Sequence, residues 1–78
     1  MPHFYFDIKD NGGPVRDHVG QILQDRDAVQ REAVRALREM ARAAMLDGTH
    51  REFVANVRDE TGRVIYSAVL NLHGRWLD

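Results

Sequence analysis

One segment constrains this chain more than any other. From Asp25 to about Met45 (DRDAVQREAVRALREMARAAM) apolar residues recur at helical spacing, whereas the stretches on either side alternate with period two. Val29, Ala33, Ala36, Leu37, Met40 and Ala44 form one stripe. Several are alanines, so the helix can lie close to a flat surface. Arg31, Arg35, Arg38 and Arg42 fall on the opposite side, where Arg35 and Glu39 are placed for an i,i+4 pair. Asp25 is the expected N-cap, Asp27 suits the helix dipole, and Gly48 is the expected left-handed residue after the last turn.

The flanking stretches read as two hairpins. In HFYFDI, Phe4, Phe6 and Ile8 alternate with His3, Tyr5 and Asp7. Asn11-Gly12 is a type I′ turn signal, with Val15 to Val19 as the return strand. This register sets Ile8 opposite Val15, Phe4 opposite Val19 and Asp7 opposite Arg16. It also puts Asp17 beside Phe6 on the apolar face. Either a bulge shifts the register, or Asp17 is an inward charge that protects an edge; the second is favoured. Gly20 to Gln24 lead to the helix, with Ile22 or Leu23 as a plug.

After the helix, Arg51–Asp59 and Arg63–Leu72 read as strands joined by Asp59-Glu60-Thr61-Gly62, a type I turn closed by a left-handed glycine. Counting back from this turn, Asp59 faces Arg63, Val57 faces Ile65, Ala55 faces Ser67 and Phe53 faces Val69. Phe53, Ala55, Val57, Ile65, Ser67 and Val69 then share the face that would take the helix. The other face carries Val54, Asn56, Arg58, Val64, Tyr66, Ala68, Leu70 and Leu72, which is too apolar for simple solvation. The tail HGRWLD adds Trp76. The expected fold is α+β, ββαββ: a four-stranded antiparallel sheet with one amphipathic helix on one face, as a single domain over residues 1–78.

At 78 residues, such a domain buries only roughly 60% of its unfolded surface and is marginally stable alone. No cysteine is present, which excludes disulfides and thiolate metal sites and fits a reducing, cytoplasmic setting. MPHFYFDIKD lacks the pattern of a secretory leader, and no apolar run approaches the ~18 residues of a membrane span. A net charge of −1 gives no global electrostatic reason to expect nucleic acid.

Nearly the whole chain resembles a family of short alphaproteobacterial proteins of unknown function. The resemblance is carried by MPHFYFDIKDNG, by Arg16-Asp17 followed by Gly20, by LQDRDAVQREAVRALREMA, and by REFVANVRDETGRVIYSAVLNL. It implies a small standalone domain and brings no activity and no site residues. A looser likeness, at the level of fold, is to HicB-type antitoxin domains, which also open with a hairpin followed by a helix. Here GQILQDRD replaces their DLPGC-like stretch, and a C-terminal DNA-binding module is not expected.

No catalytic constellation, cofactor motif or metal-ligand spacing is evident. His3, His18, His50 and His73 are scattered, and Asp7, Asp17 and Asp59 are explained by turn and edge roles. Pro2 as an N-terminal amine would suit a tautomerase-like site, but that superfamily passes from its first strand straight into a helix, and here a hairpin intervenes. Two surfaces remain. The first is Val54, Tyr66, Ala68, Leu70, Leu72 and Trp76, an apolar patch expected to serve homodimerisation or another protein partner unless the tail covers it. The second is the row Arg31, Arg35, Arg38 and Arg42, able to meet phosphates or an acidic partner in the manner of an antitoxin, or simply a solvated face trimmed by Asp27, Glu32 and Glu39. The leading expectation is a non-enzymatic, homodimeric interaction module without cofactors.

Overall fold

The computed structural model describes residues 2–10, 13–43 and 50–78. The expected Asn11-Gly12 turn and the expected Gly48 helix end lie outside them. The elements are β1 (His3–Asp10), β2 (Gly13–Val15), β3 (Gln21–Ile22), α1 (Arg26–Ala43), β4 (His50–Arg58) and β5 (Val64–His73). The sheet runs β2-β1-β4-β5, and the short β3 also pairs with β1. All pairings are antiparallel. The α+β class and the single helix on one sheet face hold; the return strand of the first hairpin is split in two.

That split begins in the expected register. Ile8 faces Val15, and Asp10 faces Gly13. Pairing then stops at Val15, and resumes with Phe4 opposite Gln21 rather than Val19. Two extra residues are therefore held in the segment Arg16–Gly20. Asp17 is the cause. Its carboxylate accepts the Phe6 amide (3.0 Å), and so replaces a ladder bond of the missing strand. It also accepts the amides of Val19 and Gly20, each at 3.0 Å. Asp17 is thus the organiser of a bulge of two extra residues, not an inward charge left on a continuous edge strand. Leu23 packs against the core, while Ile22 is exposed.

The helix begins where its cap predicts. The Asp25 carboxylate accepts the Ala28 amide at 2.8 Å, and the Asp25 carbonyl accepts the Val29 amide at 3.2 Å. Val29, Ala33 and Leu37 are buried, and Met40 and Ala41 extend the contact. Ala44 lies outside the described residues. On the sheet, Phe4, Phe6, Phe53, Ala55 and Val57 complete a core of eight buried side chains among the described residues. Ala33 and Ala55 are both fully buried, so helix and sheet meet through methyl groups, and the three phenylalanines fill the space around them.

The second hairpin has the expected turn and an unexpected strand. The Asp59 amide donates to the Arg63 carbonyl (2.9 Å), the Gly62 amide donates to the Asp59 carbonyl (3.0 Å), and Gly62 has φ +88°. Arg58 faces Val64, as counting from the turn requires. The next pair is Val57 with Tyr66, not Val57 with Ile65. Ile65 is one extra residue on β5, a bulge, and both Ile65 and Tyr66 pack against the core. Because side chains alternate with period two, one inserted residue turns the rest of β5 over. Ala55 faces Ala68 and Phe53 faces Leu70. Tyr66, Ala68 and Leu70 line the helix side, while Ser67 and Val69 point to the open face.

Candidate functional site

The bulge redistributes the expected apolar patch. Val54 faces Val69 and stays on the open face. Tyr66, Ala68 and Leu70 are half-buried on the helix side, where Leu72 follows them and is 44% exposed. The six residues grouped by sequence as one surface therefore lie on two faces and a tail. The tail does not cover the open face, for Trp76 is 89% exposed and Leu77 86%. On β4 and β5 the open face carries Glu52, Val54, Asn56 and Arg58 beside Ser67, Val69 and Asn71, with Ser67 Oγ donating to Asn56 Oδ1 at 2.8 Å. This is a mixed surface, not the apolar sheet face expected from an unbroken register.

The densest set of polar contacts occupies the other half of the open face. His3 and Tyr5 stack with ring centres 4.9 Å apart. The Arg58 guanidinium lies 4.9 Å from the centre of the Tyr5 ring. It grips Asp7 through Nε to Oδ2 (2.6 Å) and Nη2 to Oδ1 (3.1 Å), and Nη2 also donates to the Asp17 carbonyl at 2.8 Å. The Asp17 amide donates to Asp7 Oδ1 (2.9 Å), and His3 Nε2 lies 2.8 Å from the Val19 carbonyl oxygen. Gly20 completes the fit: with φ +74°, a Cβ there would sit 2.6 Å from the His3 ring.

These contacts fix what the cluster can do. Hydrogen bonding to Arg58 holds the Asp7 carboxyl below its ordinary pKa, with the Asp17 amide adding to the effect. For Asp17, burial pushes upward, but the amides of Phe6, Gly20 and Val19 and the charge of Arg58 outweigh it, and its pKa is lowered. Both carboxylates are therefore held ionised and already hydrogen-bonded, the opposite of a poised acid or base. The arrangement is a staple that ties Arg16–Gly20 across β1 to β4. Sequence reasoning paired Asp7 with Arg16; the actual partner is Arg58, 51 residues away. The available signal was Asp17 itself, a charge where the strand pattern required an apolar residue.

The arginine row is where sequence placed it. Arg31, Arg35, Arg38 and Arg42 are all exposed. Arg35 is engaged by Glu32 and, at 3.0 Å, by Glu39. Its hydrogen bond holds Glu32 below the usual carboxylate range. An open groove of about 800 Å³ runs along this side of the helix, with Leu23, Asp27, Arg31, Val34 and Arg38 among its walls. Asp27 and Glu32 interrupt the positive charge, and no aromatic side chain lines it. A smaller cleft of about 210 Å³ lies where Ile65 and Tyr66 meet Arg26, Val29 and Gln30. Among the described residues no group of three or more His, Asp or Glu side chains is placed to hold a metal ion, and no helix is long and apolar enough to cross a membrane.

An antiparallel sheet covered on one side by a single helix, with its closest polar contacts spent on holding its own backbone, defines a small α+β domain. Residues 3–71 match the family model described as a domain of unknown function (DUF6894), and the chain belongs to that family. No match was found among curated proteins or among solved structures.

Proposed function

We propose that this protein is a non-enzymatic interaction module that dimerises or binds a protein partner through β5 and the tail behind it. One observation carries the reading. Of nine large apolar residues left exposed among the described residues, five (Val64, Val69, Leu72, Trp76 and Leu77) lie on β5 or the tail. Three lie on β5 and two in the tail that follows it, so they cluster at one end of the chain. The same strand forms an end of the sheet. The described residues bury eight core side chains, and a domain of this size has much to gain from association. The cysteine-free sequence fits a cytoplasmic setting.

Light scattering coupled to size exclusion tests the reading. The expected result is a dimer at micromolar concentration. A strict monomer at high micromolar concentration that also retains no protein from its own cell lysate would overturn it. The antitoxin-like alternative rests on the arginine row, and a mobility-shift series with duplex DNA and RNA separates it. Retention that falls steeply with added salt would favour that alternative, because phosphate contacts release counterions.

A further inference from the structure

Among the described residues β5 is the longest strand and has no neighbour on its outer side. Edge strands in monomeric proteins are commonly short, charged, or broken by proline. The opposite end of the sheet follows that rule, with a three-residue β2 containing Pro14 and a two-residue β3. β5 does not. From Val64 to Leu72 it reads VIYSAVLNL, nine residues without a charge in a chain that is 29% charged. The flanking charges are Arg63 on one side and Arg75 on the other. The midpoint of the uncharged run is Ala68.

We propose that the occupant of this edge is a second copy of the same chain, its β5 running antiparallel to the first about a two-fold axis at Ala68. The inference rests on the interaction reading above and names its partner and register. Three physical requirements select this arrangement. A closed two-fold contact uses the same patch on both copies, so residue i faces j and j faces i. For antiparallel neighbours in one sheet, that axis stands perpendicular to the sheet, so both helices lie on the same face and helix-side residues meet helix-side residues. Centring on Ala68 then keeps uncharged residues opposite uncharged residues, with Arg63 and Arg75 outside the ladder; a centre at Val69 would set Arg63 against Arg75 of the second copy.

In this register Ala68 faces itself, Tyr66 faces the partner's Leu70, and Ser67 faces the partner's Val69. Tyr66 and Leu70 are half-buried, and their exposed portions are covered by each other across the axis. Regular pairing ends at the Ile65 bulge, so the ladder spans Tyr66–Leu70. The product is one continuous sheet through both copies, with two helices on one side.

The absence of native cysteine makes the test direct. Directly opposed residues on antiparallel strands have Cα atoms about 4.5–5.5 Å apart, within disulfide range. A residue two positions off is displaced along the strand by roughly 6.6 Å as well, and is out of range. Ala68→Cys is expected to form a covalent dimer under mild oxidation, whereas Ser67→Cys and Val69→Cys remain monomeric on denaturing gels. Hydrogen exchange on the unmodified protein is the second measurement. Consecutive amides from Tyr66 to Leu70 are expected to be protected in the dimer, with alternate ones losing protection on dilution. A dimer in which Ala68→Cys does not cross-link, or in which alternate β5 amides stay unprotected, overturns this arrangement and leaves the interaction reading standing. A monomer that captures another protein overturns the second-copy assignment. A monomer that captures nothing overturns both.

Discussion

Arg58 and Asp7 join the second hairpin to the first. They are diagonal neighbours across β1 and β4, with Arg58 opposite Tyr5 and Asp7 opposite Asn56, and the guanidinium takes both carboxylate oxygens. Their side chains are 12% and 23% exposed, so solvent screens this pair less than a surface ion pair. Arg58→Met is expected to destabilise the fold by about 1–3 kcal/mol, since Asp7 keeps its charge and loses its main partner. Asp7→Asn retains an acceptor for the Asp17 amide and is expected to cost less. Urea unfolding of both variants and of the double variant checks this. A coupling energy of about 0.5 kcal/mol or more is expected between the two positions.

The two carboxylates of the staple also set the acid limit. Asp7 and Asp17 both have folded pKa values below the ordinary 3.8. The folded state therefore binds fewer protons than the unfolded state in the acid range. Their contribution is fully present above the unfolded value and is lost as pH falls through the folded values. The urea midpoint is expected to be flat near neutrality and to drop below about pH 4. Asp17→Asn, which also removes one acceptor oxygen, should start from a lower midpoint and fall less steeply. An unchanged acid slope in that variant would remove Asp17 from this role.

Gly20 and Gly62 separate two reasons for glycine. Both have positive φ, +74° and +88°. A Cβ at Gly62 would meet nothing within 4 Å, whereas at Gly20 it would lie 2.6 Å from the His3 ring and 2.8 Å from the Phe4 carbonyl oxygen. Gly62→Ala is expected to cost about 1–2 kcal/mol from backbone strain alone. Gly20→Ala should cost more, because the Phe4 backbone cannot move away without disturbing β1. Thermal melts of the two variants decide this, and equal losses would mean that the staple yields freely.

Much of this architecture was legible in the amino-acid pattern. The cap at Asp25, the stripe Val29–Ala33–Leu37, the register of Ile8 with Val15 and the turn closed by Gly62 all follow from local chemistry, which short segments carry. Two features were not legible. Asp17 stands in for a ladder partner through a side-chain bond to Phe6, and its charge on the apolar face signalled an irregularity without deciding between a bulge and an inward edge charge. On β5, both alternating sets are partly apolar: Ile65, Ser67, Val69 in one and Tyr66, Ala68, Leu70 in the other. Hydrophobic alternation could not choose between them, and turn geometry favoured the wrong one. The choice depends on β4 and the helix together, since Ala68 and Leu70 lie opposite Ala55 and Phe53 in the core. The residues expected to share one patch are divided between two faces for the same reason, by one residue.

Deletion of single β5 residues tests the role of the Ile65 bulge. Removing Ile65 would leave Arg58 opposite Val64 and bring Tyr66 next in line, already the partner of Val57. The ladder would become regular and every later residue of β5 would keep its face. The variant is expected to fold, with the Val57–Tyr66 and Asn56–Ser67 pairs intact and a loss of about 1–2 kcal/mol from the missing half-buried side chain. Removing Ser67 instead would leave Val57 opposite Tyr66 but set Ala68 opposite Asn56 and Val69 opposite Ala55, turning Leu70 out to the open face. That variant should be far less stable, because Phe53 and Ala55 lose the side chains that flank them. Cross-strand Hα–Hα NOEs report the pairings and urea unfolding reports the losses. Equal destabilisation by the two deletions would show that the face of β5 is not what the Ile65 bulge controls.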